Sequence, residues 1–327
     1  MDTNHYGLPD KKKIVAVREI IASQVHRTPS LTSISLNEIT GSKLYFKCEN
    51  FQKGGAFKFR GASHAVMTLS QEYADRGVAT HSSGNHAQAL ALAASMRGIK
   101  AHIVMPENAP RIKVAAVESY GGIIRFCRPT LPDRESTLRE VIKECGAMEI
   151  HPYNDYRIIA GQASAAAELY EDTPLLDCLV VPVGGGGLLS GSILSTRYFS
   201  PGTKVFGAEP EQANDARESF QKRQLIPVRN PSTIADGLRT SLGSLTFPII
   251  LEGAEDILTV SEEAIVLAMQ LIWERMKIVV EPSAATVLAA VMEHPENFAG
   301  KNTGLILSGG NVDLYRLPWM DKTITNH

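Results

Sequence analysis

Cysteine is scarce in this chain, with 4 among 327 residues. Cys48, Cys127, Cys145 and Cys178 form no C-x-x-C pair and have no metal-finger spacing. Four cysteines are too few to staple a chain of this length by disulfides, which are typical of small secreted domains. We therefore expect a protein of the reducing cytosol, without a disulfide framework.

A dominant charge and a long apolar run are also lacking. Lys plus Arg 33 and Asp plus Glu 35 give a formal net charge of -2 at pH 7, so no overall basic field attracts nucleic acid or an anionic membrane. No run of about 18 apolar residues appears, as a spanning helix needs, and the apolar run at residues 14–17 is too short for a signal-peptide core. These absences predict a cytoplasmic protein whose partner is a small molecule, not a nucleic acid or a membrane.

The length and the pattern of apolar residues predict an α/β protein of about two domains. Short β-branched runs alternate with segments whose apolar residues recur at i, i+3 and i+4, which is typical of parallel sheets covered by helices on both faces. The predicted strands are residues 44–47, 78–80, 103–105, 123–126, 178–183, 205–207 and 304–307. The predicted helices are residues 87–96, 134–144, 163–170, 188–196 and 262–277.

The predicted elements follow one another without a segment that would mark a domain boundary. No internal repeat, low-complexity tract or long linker is visible. A second domain must then be inserted within the first. We expect a large domain of residues 1–76 and 155–327 and a small domain of residues 77–154.

Four consecutive glycines form the most conspicuous motif, at residues 184–187 between a predicted strand and a predicted helix. Residues without a Cβ let backbone N–H groups surround an anion, and the helix dipole adds positive potential. The loop therefore predicts a phosphate site, with a tight strand-to-helix turn as the alternative. A dinucleotide site, which would indicate an NAD-dependent oxidoreductase, is disfavoured because Leu189 and Ser190 occupy the third-glycine position of G-x-G-x-x-G.

A lysine between two aromatic residues forms the second motif. Lys58 lies between Phe57 and Phe59 in a glycine-flanked stretch just before a predicted helix. Apolar neighbours would lower the pKa of its amine by desolvation and make it nucleophilic, which Schiff-base chemistry with an aldehyde requires. The alternative is a solvated lysine whose stem passes along the two rings.

The third motif is S-S-G-N-H at residues 82–86, where a predicted strand ends and a helix begins. Its N–H groups and hydroxyls together make a suitable carboxylate receptor, although Ser82, Ser83 or Asn85 taken singly could be a helix N-cap. A hydrolase triad is not supported, since no G-x-S-x-G elbow surrounds Ser83.

The order of G-A-F-K-F-R-G-A, S-S-G-N-H, G-G-G-G-L and S-G-G-N resembles the pyridoxal-phosphate enzymes of the tryptophan-synthase β fold. Within that family the chain is similar to the serine racemases and the serine and threonine dehydratases, from about residue 26 to residue 313. The resemblance implies two twisted, mainly parallel sheets with flanking helices, and makes the larger domain the cofactor-binding one. We also expect a homodimer.

The resemblance assigns roles around pyridoxal 5'-phosphate. Lys58 would form the Schiff base with the cofactor and later move the α-proton, while Phe57 would pack against the cofactor ring. Asn85 would hydrogen-bond the phenolic oxygen, and Ser308 would face the pyridine nitrogen, where a neutral hydroxyl favours elimination over transamination. The phosphate would rest on Gly184, Gly185, Gly186, Gly187 and the N–H of Leu188.

The implied reaction is the dehydration of a hydroxy amino acid, which converts L-serine or L-threonine into a keto acid and ammonia. Ser82, Ser83, Asn85 and His86 would orient the α-carboxylate of the substrate. In serine racemases the equivalent of Ser83 is the acid/base on the opposite face of the cofactor, so serine racemisation stays open as a second activity.

A divalent cation is the second expected cofactor. The serine racemases bind one through positions that match Glu209, the carbonyl of Ala213 and Asp215 in this chain. Mg²⁺, or Ca²⁺ or Mn²⁺ in its place, suits such all-oxygen ligation. The alternative is that Asn214 or Asp215 caps a helix and that Glu209 is a surface charge.

The preferred substrate is divided between two resemblances. Residues 208–216 and 317–319 resemble the 3-hydroxyaspartate ammonia-lyases, whereas residues 235–243 resemble the serine racemases. A second substrate carboxylate would need a cation, for which Arg134 is the candidate and Arg239 a weaker one, and a surface role fits either. An NAD-binding oxidoreductase and a non-catalytic relative that binds amino acids remain as alternatives, and cofactor attachment to Lys58 discriminates between them and the ammonia-lyase.

Overall fold

The structure, a computed structural model, describes residues 6–109 and 111–320. Its strands in chain order are β1 (Ser30–Leu31), β2 (Lys43–Cys48), β3 (Val78–His81), β4 (Ala101–Pro106), β5 (Ile123–Cys127), β6 (Met148–Glu149), β7 (Cys178–Pro182), β8 (Lys204–Pro210), β9 (Asp256–Val260) and β10 (Asn302–Leu307).

The helices surround these strands in the same chain order. They are α1 (Lys11–Ile21), α2 (Ile34–Thr40), α3 (Lys58–Met67), α4 (Gln71–Arg76), α5 (Asn85–Arg97), α6 (Arg111–Ser119), α7 (Leu131–Cys145), α8 (Tyr156–Asp172), α9 (Gly187–Phe199), α10 (Asp215–Lys222), α11 (Thr246–Gly253), α12 (Glu262–Met276), α13 (Pro282–Glu293) and α14 (Pro295–Phe298). Short 3₁₀ helices cover Glu49–Phe51, Lys53–Gly55, Glu211–Ala213 and Asp236–Leu238.

The strands form two sheets. The larger has the order β1-β2-β10-β7-β8-β9 and the smaller the order β5-β4-β3-β6. The β1-β2 pair is antiparallel, and the other pairs of both sheets are parallel. Parallel neighbours need crossover connections, which the helices supply. The predicted α/β class with two mainly parallel sheets is confirmed.

The smaller sheet is built from one continuous part of the chain, from Val78 in β3 to Glu149 in β6. The larger sheet takes β1 and β2 from before this part and β7 to β10 from after it. This order is that of an insertion. The division at residues 76 and 155 stays a prediction.

The larger sheet has an apolar cluster on each face. Val180 of β7 belongs to the cluster that contains residues of α12 and α13, whereas its neighbours Leu179 and Val181 belong to the cluster that contains residues of α8 and α9. Alternate side chains of a strand point to opposite faces, so a strand buried on both sides is apolar throughout. This explains the uninterrupted apolar run that predicted β7.

The predicted strands and helices all overlap observed elements, but β1, β6, β9 and several helices were not predicted. Helix α8 begins at Tyr156, well before the predicted start at residue 163. Gly161 interrupts the apolar period of α8. Glycine is needed at this position because a Cβ there would lie 2.5 Å from the Cα of Gly61. The two glycines let α3 and α8 pack closely, and α3 carries Lys58. Within the described residues, no helix is both long and apolar enough to cross a membrane.

Candidate active site

Lys58 is the first residue of α3, whereas the sequence predicted that it precedes the helix. The segment before it is held against the chain that follows β10. The N–H of Phe57 donates to the carbonyl of Ser308 at 3.0 Å, and Ala56 forms an isolated antiparallel bridge with Gly309. These contacts bring the lysine motif and the S-G-G-N motif together.

The start of α3 is anchored by a buried ion pair network. Arg60, two residues after Lys58, is 0 % exposed and lies 2.7 Å from carboxylate oxygens of both Glu49 and Glu168. Lys47 of β2 shares Glu168, also at 2.7 Å. Removing one partner of such a network leaves a buried charge uncompensated, which costs about 3–5 kcal/mol. The network therefore fixes the backbone from which Lys58 projects.

The amine of Lys58 is not a solvated surface group. Its Nζ donates to the carbonyl of Pro152 at 2.9 Å and lies 5.1 Å from the centroid of the Phe57 ring. Burial lowers the pKa of Lys58 to about 8, and the carboxylate of Glu281 opposes that shift. The predicted lowering by desolvation is confirmed, and the neutral, nucleophilic amine is accessible near neutral pH.

The S-S-G-N-H motif links β3 to α5. The N-cap residue of α5 is Gly84, and no side chain caps this helix. Ser82 Oγ instead accepts from the N–H of Gly84 at 3.3 Å, while Ser83 Oγ bonds to no residue in the described part of the chain. The N-cap alternative for Ser82, Ser83 and Asn85 is therefore wrong, and the Ser83 hydroxyl is available to a ligand.

Asn85 joins three separate segments. Its Nδ2 donates to Glu281 Oε1 at 2.9 Å and to Glu281 Oε2 at 3.1 Å. Asn311 Nδ2 donates to Asn85 Oδ1 at 3.0 Å and to the carbonyl of Gly54 at 2.7 Å. The motifs of Lys58, Asn85 and Ser308 thus meet in one place. Sequence reasoning did not find Glu281, and its only local signal is an acid placed directly before the proline that begins a helix.

His86 is 2 % exposed, and its ring Nε2 lies 3.0 Å from the carbonyl of Ile150. A carbonyl only accepts, so Nε2 carries the proton. Burial lowers the pKa of His86 to about 3, which keeps the ring neutral. Its Nδ1 is buried without a partner among the described residues, and it is an acceptor in this tautomer.

The glycine loop presents a row of unsatisfied donors. The backbone N–H groups of Gly184, Gly185, Gly186, Gly187 and Leu188 donate to no acceptor within residues 6–109 and 111–320, although these five residues are buried. A buried unsatisfied donor costs about 1–3 kcal/mol. An anion bound at the N-terminus of α9 would satisfy several of these groups at once. The loop therefore fits a phosphate group.

The same glycines also permit close packing, so both explanations of the loop have support. A Cβ on Gly185 would lie 2.2 Å from Tyr153 Cδ1, and Gly186 has a φ of 85°, which favours glycine. Ser308, 3 % exposed, follows β10 directly. The amine of Lys58, the donor row, the Phe57 ring and the Ser308 hydroxyl together fit the aldehyde, phosphate and ring of pyridoxal phosphate.

Glu209 and Asp215 form a buried pair of carboxyl groups, 1 % and 5 % exposed. Burial and the charge of Asp215 raise the pKa of Glu209 well above its usual value, and burial raises the pKa of Asp215 to about 7. Asp215 Oδ2 has no partner in the described structure. A cation would relieve both the mutual repulsion and the unpaired oxygen, so the pair fits one.

The alternatives for this pair are wrong in two respects. Glu209 is not a surface charge, because its carboxylate accepts from the N–H groups of Ala216 at 3.2 Å and Arg217 at 2.6 Å, in the first turn of α10. Asn214 precedes α10 without a side-chain cap bond. Ala213, 3 % exposed, ends the 3₁₀ helix just before them. The described residues contain no group of three or more His, Cys, Asp or Glu side chains suited to a metal.

The two arginine candidates differ in availability. Burial lowers the pKa of His81, the residue before Ser82, and the charge of Arg134 in α7 adds to that shift. Its Nε is buried without a partner among the described residues. Arg239 Nε donates to the carbonyl of Thr233 at 3.0 Å, so this guanidinium is engaged elsewhere.

Comparison with known proteins agrees with this geometry. A family model described as "Pyridoxal-phosphate dependent enzyme" matches residues 21–309. The chain belongs to this family of enzymes, which confirms the resemblance drawn from the motifs and leaves the NAD-binding and non-catalytic alternatives without support.

Its relatives cover nearly the whole chain. It is 49 % identical over 312 residues to the beta-hydroxyaspartate dehydratase of Paracoccus denitrificans, covering 95 % of this chain and 99 % of that one. It is 51 % identical over 298 residues to the L-threo-3-hydroxyaspartate ammonia-lyase of Saccharomyces cerevisiae, covering 90 % and 91 %. The crystal structure of serine racemase from Dictyostelium discoideum matches with a TM-score of 0.90 at 46 % identity, covering 93 % and 99 %.

Proposed function

We propose that this enzyme is a pyridoxal-phosphate-dependent ammonia-lyase that converts hydroxy amino acids such as L-serine and L-threonine into keto acids and ammonia, with serine racemisation as a second activity of the same site. The observation that carries the proposal is the half-buried amine of Lys58, whose pKa burial lowers to about 8, together with the row of unsatisfied donors in the glycine loop.

The residues that would hold the cofactor come from four segments. Lys58 would take its aldehyde, and the Phe57 ring would pack on it. Asn85 would bond its phenolic oxygen and Ser308 would face its pyridine nitrogen. The phosphate would accept from the N–H groups of Gly184, Gly185, Gly186, Gly187 and Leu188. When bound, pyridoxal phosphate supplies an electron sink that stabilises negative charge on the α-carbon of an amino acid.

The chain's own groups handle the protons. With a pKa of about 8, the amine of Lys58 is close to the value at which a group both takes and returns a proton near neutral pH. Lys58 would remove the α-proton, and the β-hydroxyl would then leave with its electron pair. Inversion at the α-carbon requires a second donor on the other face, and we assign this role to the free hydroxyl of Ser83.

The substrate carboxylate would be oriented by the segment around Ser83. Ser82, Ser83 and Asn85 offer hydroxyl and amide donors, together with the backbone N–H groups at the start of α5. His86 offers an acceptor at Nδ1, so it would act by holding a neighbouring hydroxyl or amide in place and not by donating to the carboxylate. Such orientation aligns the bond that breaks.

A second candidate substrate is 3-hydroxyaspartate, which would yield oxaloacetate and ammonia. Two relatives of about half identity carry this substrate in their names. The unpartnered Nε of Arg134 is the observation in this chain that favours it, because a guanidinium recognises a carboxylate by paired, charge-assisted bonds.

Further features belong to the same proposal. Mg²⁺, or Ca²⁺ or Mn²⁺, would bind Glu209, the carbonyl of Ala213 and Asp215. We propose a cytoplasmic homodimer. The low cysteine content is typical of a reducing compartment. The dimer is inferred from the family resemblance and can be tested by light scattering.

Steady-state assays test the substrate. Purified enzyme is supplied with L-serine, D-serine, L-threonine and both diastereomers of 3-hydroxyaspartate, and keto acid, ammonia and enantiomers are measured. Turnover of L-serine or L-threonine supports the main proposal. Preference for a 3-hydroxyaspartate that is lost in Arg134→Gln while L-serine turnover persists supports the second candidate, and no turnover of any of these compounds contradicts both.

A further inference from the structure

Glu281 is a buried carboxylate that the proposed reaction does not use. It is 4 % exposed and directly precedes α13. Both of its carboxylate oxygens accept from Asn85 Nδ2, and it forms no salt bridge with a described residue. A carboxylate is costly to bury without a cation. Packing alone therefore does not explain a carboxylate at this position.

The backbone after β10 packs closely against Glu281. The N–H of Glu281 donates to the carbonyl of Gly309 at 3.0 Å. A Cβ on Gly309 would lie 2.8 Å from Glu281 Oε1, so glycine is the residue that allows this approach. Burial raises the pKa of Glu281, and the backbone of Asn311 opposes that shift. The segment that carries Ser308 thus contacts Glu281 directly.

These bonds determine the orientation of the Asn85 amide. An amide has two N–H donors and one oxygen acceptor. Glu281 accepts at the nitrogen end, and Asn311 donates at the oxygen end. The amide cannot rotate by a half turn without placing donor against donor and acceptor against acceptor. One N–H is left in a fixed direction for a ligand.

The carboxylate also acts on Lys58, since its negative charge raises the pKa that burial lowers. Burial and the charge of Asp236 raise the pKa of Glu281 to about 7, and Lys113 opposes this. Lys58 titrates at about 8, where Glu281 is mostly ionised. The other titratable groups beside Lys58, His86 and His151, have pKa values lowered to about 3 and about 4 and are neutral there.

We propose that Glu281 is a positioning residue that orients the amide of Asn85 toward the cofactor and holds a negative charge near Lys58. The inference rests on the proposed function, because Asn85 is assigned to the cofactor there. Glu281 itself would contact neither cofactor nor substrate.

The charge is tested by the acetylation of Lys58 with acetic anhydride in the full-length, cofactor-free protein, followed by mass spectrometry across a pH series. Glu281→Gln removes the charge, so the midpoint of Lys58 labelling should fall by on the order of one pH unit. Glu281→Asp keeps the charge and should stay near wild type. Glu293→Gln is the control, since Glu293 lies at the other end of α13 and accepts two bonds from Ser261.

The orientation of Asn85 is tested by titration of pyridoxal phosphate into the same proteins. Affinity should fall about tenfold or more in both Glu281→Gln and Glu281→Asp, because each loses at least one bond to Asn85, and should not change in Glu293→Gln. If Glu281→Gln does not fold, Glu281→Asp still tests the proposal. Weaker cofactor binding with an unchanged pH midpoint of Lys58 labelling is expected only of a positioning residue.

The two levels of the proposal fail in different ways. An unchanged Lys58 midpoint in folded Glu281→Gln, or unchanged cofactor affinity in folded Glu281→Asp, overturns the role of Glu281. Wild-type protein that does not attach the cofactor at Lys58 overturns the proposed function, whatever the labelling midpoints are.

Discussion

The contact between Gly185 and Tyr153 permits a quantitative test of the glycine loop. In Gly185→Ala the new Cβ would lie 2.2 Å from Tyr153 Cδ1, and the three nearest atoms all belong to that ring. This is about 1.3 Å inside the ~3.5 Å at which carbon atoms pack best. We expect the variant to lose about 1–3 kcal/mol of folding free energy, as overpacked sites do. The displaced loop should also bind pyridoxal phosphate at least about tenfold more weakly, which corresponds to ~1.4 kcal/mol.

A double-mutant cycle isolates the ring as the cause. In a Tyr153→Ala background the Cβ at position 185 meets no ring, so Gly185→Ala should cost less than about 0.5 kcal/mol there. Gly202→Ala is the control, because no atom lies within 4 Å of a Cβ at Gly202. Unfolding of the cofactor-free proteins and cofactor titrations supply the measurements. An equal loss from Gly185→Ala in both backgrounds would refute the assignment of the strain to Tyr153.

Three further predictions concern the site. Lys58→Ala should abolish turnover of every amino acid while pyridoxal phosphate still binds the loop, because the lysine and the loop are separate anchors; substantial turnover would contradict the role of Lys58. EDTA should lower the melting temperature, and more at pH 8 than at pH 6, because protons compete with a cation for Asp215, whose pKa is about 7, and for Glu209. A melting temperature unchanged by EDTA would leave both carboxylates without a metal role. Ser83→Ala should lose conversion of L-serine into D-serine, and with it elimination from D-serine, while elimination from L-serine falls less. Inversion is monitored by solvent-deuterium exchange at the α-carbon. Inversion near the wild-type rate in this variant would rule out Ser83 as the second donor.

What could be predicted from the sequence is what short-range pattern encodes. Strand β7 carries an uninterrupted apolar run, which is typical of a strand buried on both faces. The glycine loop after it is recognisable because its four residues have no side chains. The aromatics that flank Lys58 predict desolvation of its amine, but the local pattern left a solvated lysine open, and the role of Lys58 was predicted from the family resemblance. The fold class and the main motifs of the site were therefore accessible without coordinates.

The missing parts depend on pairs that are distant in the chain. The acceptor of the Lys58 amine is the carbonyl of Pro152, 94 residues away, and Asn85 bonds Glu281, 196 residues away. No local period announces such contacts. Glu209 was predicted as a metal ligand with a surface charge as the alternative, and that alternative is wrong because β8 is an interior strand of the larger sheet and its end is buried. Arg239 was a candidate by charge alone, and only the structure shows that Thr233 engages it.

Reduction of the purified, cofactor-loaded enzyme with borohydride identifies the lysine that binds pyridoxal phosphate. Borohydride makes the bond between an amine and pyridoxal phosphate permanent, so peptide mass spectrometry can locate it. We expect one modified residue, Lys58, and none in the peptide of Lys53, a neighbouring lysine on the same segment that serves as an internal control. Attachment of the cofactor to another lysine, or no attachment at all, would contradict the account.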